Sequence, residues 1–343
     1  MIIGHVNLAH GFRGGERQTE ILIRELASRG HEQILIVRSG AELGRRLADV
    51  PNLIIRAISK PYILNIGAAR GCTLLHAHEA KACQYAYWVK RLKRTPYVIT
   101  RRVPNVPRKN LFTRAIYQNA DAIIVLSTAI KESMLEHNPS LEVMIVPSMS
   151  AQLPADMKEI TRIRERFKDK FIVGHVGALV NKHKGQSYLI EAAREIISTN
   201  PEIHFLLLGQ GKDQARLRQQ ANDLNNVTFI GFVDNVGDYL GAFDLFVFPS
   251  LNEGLGSILI DAMQFELPII ASNVDGIPDL IEDNKNGILV EPRDSSAISN
   301  MIINLYKDSN LRNNIASTAK AQAQKYLPQT ITTKIEAIYE RCL

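Results

Sequence analysis

Glu253 and Asp261 stand eight residues apart in the stretch NEGLGSILIDAM, with Gly254 and Gly256 between them. Glycine lets a backbone approach a ligand closely, and the free N–H groups of a helix's first turn hold an oxyanion. The apolar run after Ser257 predicts a helix beginning near Gly256–Ser257, with Ser257 as its N-cap. The tip formed by Gly254, Leu255, Gly256 and Ser257 therefore suits a phosphate or diphosphate. The two acids need not touch that anion. Carboxylates accept hydrogen bonds from vicinal hydroxyls, and Asp261 falls about one turn inside the helix while Glu253 precedes it. An anion held between two polyols describes a nucleotide-diphospho-sugar.

Other residues can join that chemistry. In VGALVNKHKGQ, Lys184 sits just ahead of a helical pattern, where a cation neutralises a diphosphate leaving group as the bond breaks; Lys182 lies in the same loop. In HGFRGGERQ, Gly14 and Gly15 follow the first strand and precede a helix whose tip again offers N–H donors, with Arg13 and Glu16 beside them. His76 and His78 in LLHAHEA project to one face if the strand continues through them. Cys72 and Cys83 are nearby, but their spacing with the histidines fits no C-x2-C or H-E-x-x-H pattern, so no metal site is expected. Gly209 and Gly211 in LLGQGKDQ stop short of a full G-x-G-x-x-G because Gln214 holds the last position, and Phe232–Val233 follow the next strand in GFVDN.

The elements that must position these residues read clearly. Strand-length apolar runs alternate with amphipathic segments: IIGHVNL, QILIVR, LIIRAI, TLLHAH, YVIT, AIIVLS and VMIVPS, then FIVGHVG, HFLLLG, VTFIGF, LFVFPS, PIIAS and GILV. Such alternation predicts parallel sheets covered by helices on both faces. It pauses at PSMSAQLPADMKE, residues 147–159, which has no periodicity and reads as a linker. The expectation is α/β, with two Rossmann-like parallel-sheet domains facing a cleft. One domain is expected over residues 1–150 and a second over residues 151–328, which holds the residues suited to a nucleotide-sugar. Ligands bind beyond the carboxyl ends of strands in such sheets, where all the loops named above fall.

EGLGSILIDAM resembles the E-x7-E signature of retaining glycosyltransferases of family 4, which have the GT-B fold. The flanking GFVDNVGDYLGAFDLFVFPSLNEGLG and LPIIASNVDGIPDLIEDNKNGILVEPRD follow that family's order. The resemblance implies that Glu253 contacts the donor sugar, that Asp261 binds ribose hydroxyls, and that Lys184 assists departure of the diphosphate. It implies that His78 reaches the donor sugar and the reacting centre. Gly14 and Gly15 would approach the donor phosphates or the acceptor, and Gly209, Gly211, Phe232 and Val233 would line the diphosphate and base. The chain departs from the family at Asp261, where Glu is usual, at Ala178, where relatives have Arg, at Glu266 in place of glycine, and at Asp275 in DGIPD. Lys182 is the candidate replacement for the missing arginine. TRRVPNVPRKN resembles a stretch in relatives that extend lipopolysaccharide cores, which brings Arg101 and Arg102, with Arg13, into view as acceptor-binding residues. The resemblance makes residues 1–150 the acceptor-binding domain and residues 329–343 the helix that crosses back to it.

Charge is divided unevenly: residues 1–150 carry 21 Lys+Arg against 11 Asp+Glu, and residues 151–343 carry 20 against 24. Nine of the basic residues lie between Val89 and Ala115 with no acid among them. That field suits an anionic membrane surface or a phosphorylated saccharide; nucleic acid is the less favoured partner. Three scattered cysteines and the absence of a signal-like or membrane-spanning run lead to the expectation of a cytoplasmic protein, with peripheral contact at the inner face of the membrane. No Walker A, G-x-S-x-G or Asp-x-Asp motif is present. The expected reaction is metal-independent, cofactor-free, retaining hexosyl or heptosyl transfer to a saccharide or glycolipid acceptor in lipopolysaccharide-core or surface-polysaccharide synthesis. Two rivals are a nucleotide-sugar epimerase of the same fold and a non-catalytic binding or scaffold protein.

Overall fold

The computed structural model describes residues 1–343 and contains two compact units, Met1–Ala151 with Tyr326–Leu343, and Gln152–Lys325. The first holds strands β1 (Ile2–Asn7), β2 (Glu32–Arg38), β3 (Leu53–Ile58), β4 (Leu74–Ala77), β5 (Tyr97–Arg101), β6 (Ala122–Val125) and β7 (Val143–Ile145). They form one parallel sheet in the order β3-β2-β1-β4-β5-β6-β7. The second holds β8 (Phe171–Val176), β9 (Ile203–Leu208), β10 (Val227–Gly231), β11 (Leu245–Phe248), β12 (Ile269–Ser272) and β13 (Ile288–Val290). Their order is β10-β9-β8-β11-β12-β13, again all parallel. Every strand-like run in the sequence has become a strand. The central ones are apolar along both faces because helices cover both sides, as in β9 and β11, where every residue is buried.

Both units are thus Rossmann-like α/β domains, each with one place where the strand order reverses. In the first it lies between β1 and β4; in the second, between β8 and β11. Neighbouring strands feed loops in opposite directions there, which opens a crevice at their carboxyl ends. The loops after β8 and β11 carry Lys184 and Glu253, and those after β1 and β4 carry Arg13 and His78.

The unit boundary falls between Ala151 and Gln152, inside the aperiodic 147–159 stretch, and the second unit ends at Lys325 rather than at residue 328. The helix Pro328–Arg341 belongs to the first unit: Ile331, Ile335, Ile338 and Tyr339 pack with Ile3, Leu22, Leu74 and Ile124 in one buried cluster. Each fully buried aliphatic side chain of this kind contributes roughly 1.5–3 kcal/mol, so this helix is a structural part of that domain. The second core gathers Val173, Leu189, Phe205, Leu245, Val247 and Ile270. No helix is long and apolar enough to cross a membrane.

Candidate active site

In the second unit, Lys184 and Glu253 are bonded to each other. The Lys184 ammonium pairs with the Glu253 carboxylate, and it also lies 4.9 Å from the centre of the Phe248 ring. Two backbone approaches make this possible. Lys184 ends the short helix Asn181–Lys184, and the following Gly185 is left-handed with φ +62°; a β-carbon there would stand 2.1 Å from the Pro249 carbonyl oxygen. Only glycine lets the loop after β8 lie directly against the end of β11. The His183 carbonyl then accepts from the N–H groups of Leu251 (2.8 Å) and Asn252 (3.2 Å), tying the two loops together. Gly209 makes a similar close approach, with φ +129° and a would-be β-carbon 2.0 Å from the Gly177 carbonyl oxygen.

The helix after β11 runs Ser257–Gln264, and its N-cap is Gly256, at φ +83°, rather than Ser257. The expected Ser257 cap fails because the chain must turn through a left-handed residue to enter the helix, which glycine does without strain. No side chain caps this helix. Gly254, Leu255 and Gly256 are buried behind the tip, and Asp261 is 7% exposed inside the helix. Lys182 is exposed, Phe232 is 65% exposed, and Gly211 packs against Leu179. Ala178 offers its carbonyl to the Gln186 side chain at 2.9 Å.

Two departures from the family pattern acquire physical roles. Asp275, left-handed at φ +47°, accepts from the Glu253 backbone N–H at 2.8 Å and from the Asn252 side chain at 3.1 Å. It holds the loop that carries Glu253, a function the sequence showed only as an odd acid. Glu266, at φ +55°, occupies a left-handed turn that favours glycine, and its carboxylate pairs with Lys320 at 2.6 Å.

In the first unit, Gly14 and Gly15 open the helix Gly14–Ser28, with Arg13 as N-cap; the Arg13 N–H donates to Glu16 at 2.9 Å. A β-carbon on Gly14 would meet nothing, and one on Gly15 would touch only Arg102 at 3.5 Å. Arg102 thus lies over this helix tip, and burial pushes its guanidinium down to about 10, with Glu16 opposing. Arg101 is directed elsewhere: it bonds the Tyr117 hydroxyl at 3.1 Å and the Asn105 carbonyl, which shapes its own loop.

His76 and His78 do share a face, with ring centres 4.1 Å apart. They are joined by His5 from β1, which the sequence reading missed. All three are buried, and their ring nitrogens come within 4.8 Å of one another. His5 Nδ1 lies 3.1 Å from His78 Nε2, and His5 Nε2 lies 3.0 Å from Gln33 Oε1. His76 bonds Tyr339 and Thr100, each at 2.6 Å. Burial, then the neighbouring imidazoles and Arg102, hold His78 well below the usual histidine range. Glu79 anchors the cluster by accepting from the N–H groups of Lys81, Ala82 and Leu8.

Two Rossmann-like parallel-sheet units, each with one reversal of strand order, are the architecture of the GT-B fold. Residues 12–148 match the family described as Glycosyltransferase Family 4, and residues 156–322 match Glycosyl transferases group 1. The chain belongs to the family 4 glycosyltransferases of GT-B fold. It is 27% identical over 238 residues to the capsular polysaccharide biosynthesis glycosyltransferase CapM of Staphylococcus aureus, covering 65% of this chain and 62% of CapM, less than two thirds of that protein's length. It is 25% identical over 327 residues to the lipopolysaccharide core biosynthesis glycosyltransferase LpsE of Rhizobium meliloti, covering 88% of each. The crystal structure of Anabaena Alr3699/HepE in complex with UDP and glucose superposes with a TM-score of 0.87 at 20% identity over 99% of both chains, a likeness of fold.

Proposed function

We propose that this glycosyltransferase moves a hexose or heptose from a nucleotide-diphospho-sugar to a saccharide or glycolipid acceptor, with retention of anomeric configuration. The observation that carries the reading is the Lys184–Glu253 pair at the tip of the Ser257–Gln264 helix. A diphosphate arriving there meets N–H donors and competes for the Lys184 ammonium, which draws the cation from Glu253 onto the leaving group. The freed Glu253 carboxylate then accepts from donor-sugar hydroxyls, and Asp261 serves the ribose. Positive charge from Lys184, Lys182 and the helix tip suits departure without a metal ion. The UDP held by the Anabaena relative favours a uridine donor. His78 contacts the sugar, and Arg13 and Arg102 belong to the acceptor side.

The acceptor we favour is an anionic surface glycan or lipopolysaccharide core, in line with the names of CapM and LpsE, with synthesis at the cytoplasmic face of the membrane. Exposed Arg91, Lys93, Arg94, Arg108, Lys109 and Arg114 are interspersed with exposed Leu92, Val103, Leu111 and Phe112. Leu111 is 87% exposed, and Phe112 packs on Trp88 of the neighbouring helix. Basic residues among apolar ones suit peripheral contact with anionic lipid.

The test is a thermal-shift panel of UDP-, ADP-, GDP- and dTDP-sugars on wild type and Glu253→Ala, followed by product analysis with and without saccharide acceptors. One responding donor, weakened by the substitution and consumed only with acceptor, supports the reading. Conversion of the donor without acceptor would indicate an epimerase, and silence across the panel a binding protein. Co-sedimentation with phosphatidylglycerol vesicles tests the membrane contact; equal binding to neutral vesicles would count against it.

A further inference from the structure

Five of the six ring nitrogens in the His5–His76–His78 cluster have hydrogen-bond partners, and the sixth, His78 Nδ1, is buried with none. We infer that a relay from the Ile23 carbonyl through Gln33 and His5 fixes His78 as its Nε2–H tautomer and leaves Nδ1 a bare lone pair reserved for a hydroxyl. Each link follows from what its neighbour can do. The Ile23 carbonyl only accepts, so the Gln33 side chain turns its NH2 towards it, at 3.0 Å. Gln33 Oε1 therefore faces His5, and His5 Nε2 must carry the hydrogen across their 3.0 Å contact. His5 is buried with no carboxylate among its partners, and burial holds it at about 4, so at neutral pH it has one ring proton only. Its Nδ1 is then an acceptor, and the proton in the 3.1 Å contact belongs to His78 Nε2. His78 Nδ1 is left without a hydrogen.

This distinguishes ligands. A phosphate oxygen at that nitrogen would set lone pair against lone pair, whereas a sugar hydroxyl would donate to it. Resting on the functional reading above, the hydroxyl is one on the transferred sugar, and His78 receives a hydrogen bond rather than giving one. Gln33 and His5 are positioning residues. They lie on β2 and β1, and the sheet order β2-β1-β4 sets both in line with His78 at the end of β4. A trio of histidines with the spacing of a metal site is thus accounted for by hydrogen bonding: five of the six nitrogens are engaged with Gln33, Thr100, Tyr339 and one another.

The test uses the full chain with 15N-labelled histidine. Long-range 1H–15N correlation at neutral pH reports which ring nitrogen carries the proton, and His78 is assigned by the signals lost in His78→Asn. The expected pattern is protonated Nε2 and unprotonated Nδ1; a proton on Nδ1, or on both, overturns the relay. Gln33→Leu should spread His78 over both tautomers and lower kcat roughly 2-fold, since an even split leaves about half of the molecules competent, with the donor KM little changed. An unchanged His78 pattern in a folded Gln33→Leu protein also overturns it. If that variant does not fold, the wild-type spectrum decides. Adding the donor identified by thermal shift should move the His78 Nδ1 resonance. If the tautomer is as stated but the donor leaves it unmoved, the relay stands and the sugar contact is refuted.

Discussion

Removing charge from Lys184 or Glu253 should affect stability and turnover in different ways. Their side chains are 22% and 18% exposed, close to buried but still reached by solvent. At an effective dielectric of about 20, unit charges in contact attract by roughly 4 kcal/mol, and desolvation takes back most of that. Neutralising one partner leaves the other charge stranded. Fully buried pairs lose roughly 3–5 kcal/mol in that way; this partly exposed pair should lose about 2 kcal/mol in Lys184→Met. The Asp275 carboxylate, already bound to the Glu253 N–H, adds like charge to the same loop and sharpens the loss. For a domain of this size, that corresponds to a fall of roughly 4–8 °C in Tm. Lys184→Met with Glu253→Gln removes both charges and should recover most of it. Turnover should not recover, because the cation facing the leaving group is absent from both; kcat falls by about 10²–10³. Thermal unfolding of the four proteins, with initial rates of nucleotide release in saturating acceptor, measures both. Equal stability losses in the single and double variants would refute the coupling, and full turnover in Lys184→Met would refute the leaving-group role.

Three further outcomes follow from the same structure. Gly185→Ala puts a β-carbon 2.1 Å from the Pro249 carbonyl at a left-handed residue; the two loops should separate, Tm should drop, and donor binding in the thermal-shift assay should weaken at least tenfold, whereas unchanged binding would mean the loops need not touch. Glu266→Gly relieves φ +55° and gives up an exposed ion pair with Lys320, so urea unfolding should show a gain of about 0.5–1 kcal/mol, and a loss would show the pair outweighs the strain. Burial holds His5 and His175 at about 4, below the ordinary 6.5. Their contribution is complete above about pH 6.5 and is lost as pH falls towards 4, by up to about 1.4 kcal/mol per pH unit for each group. The urea midpoint should therefore decline from pH 7 to 5, less steeply in His175→Gln; equal slopes would contradict the neutral burial of His175.

What the sequence disclosed and what it concealed divide along a physical line. Strands, helices, the linker and the glycine-led tip before Ser257 depend on residues a few positions apart, so periodicity and turn chemistry expose them. Ser257 reads as the cap because a serine side chain can satisfy a helix end, whereas the chain enters its helix one residue earlier through a positive φ, which glycine adopts without strain. Asp275 is 22 residues from the backbone N–H it holds, and no spacing rule links them. Gln33 and His5 are isolated polar residues in apolar strands, 28 positions apart, and no spacing rule pairs them either.

A buried polar side chain in a central strand costs free energy unless it is bonded, so Gln33 and His5 each required a partner from an adjacent strand, helix or loop. Which partner was fixed by the order β2-β1-β4, a property of the whole sheet and of no segment of it. The same reversal of strand order opens the crevice and sets three imidazoles side by side at its edge. Position and protonation of His78 therefore have one cause: the topology that brings its loop to the switch point also supplies the neighbour that decides where its proton resides.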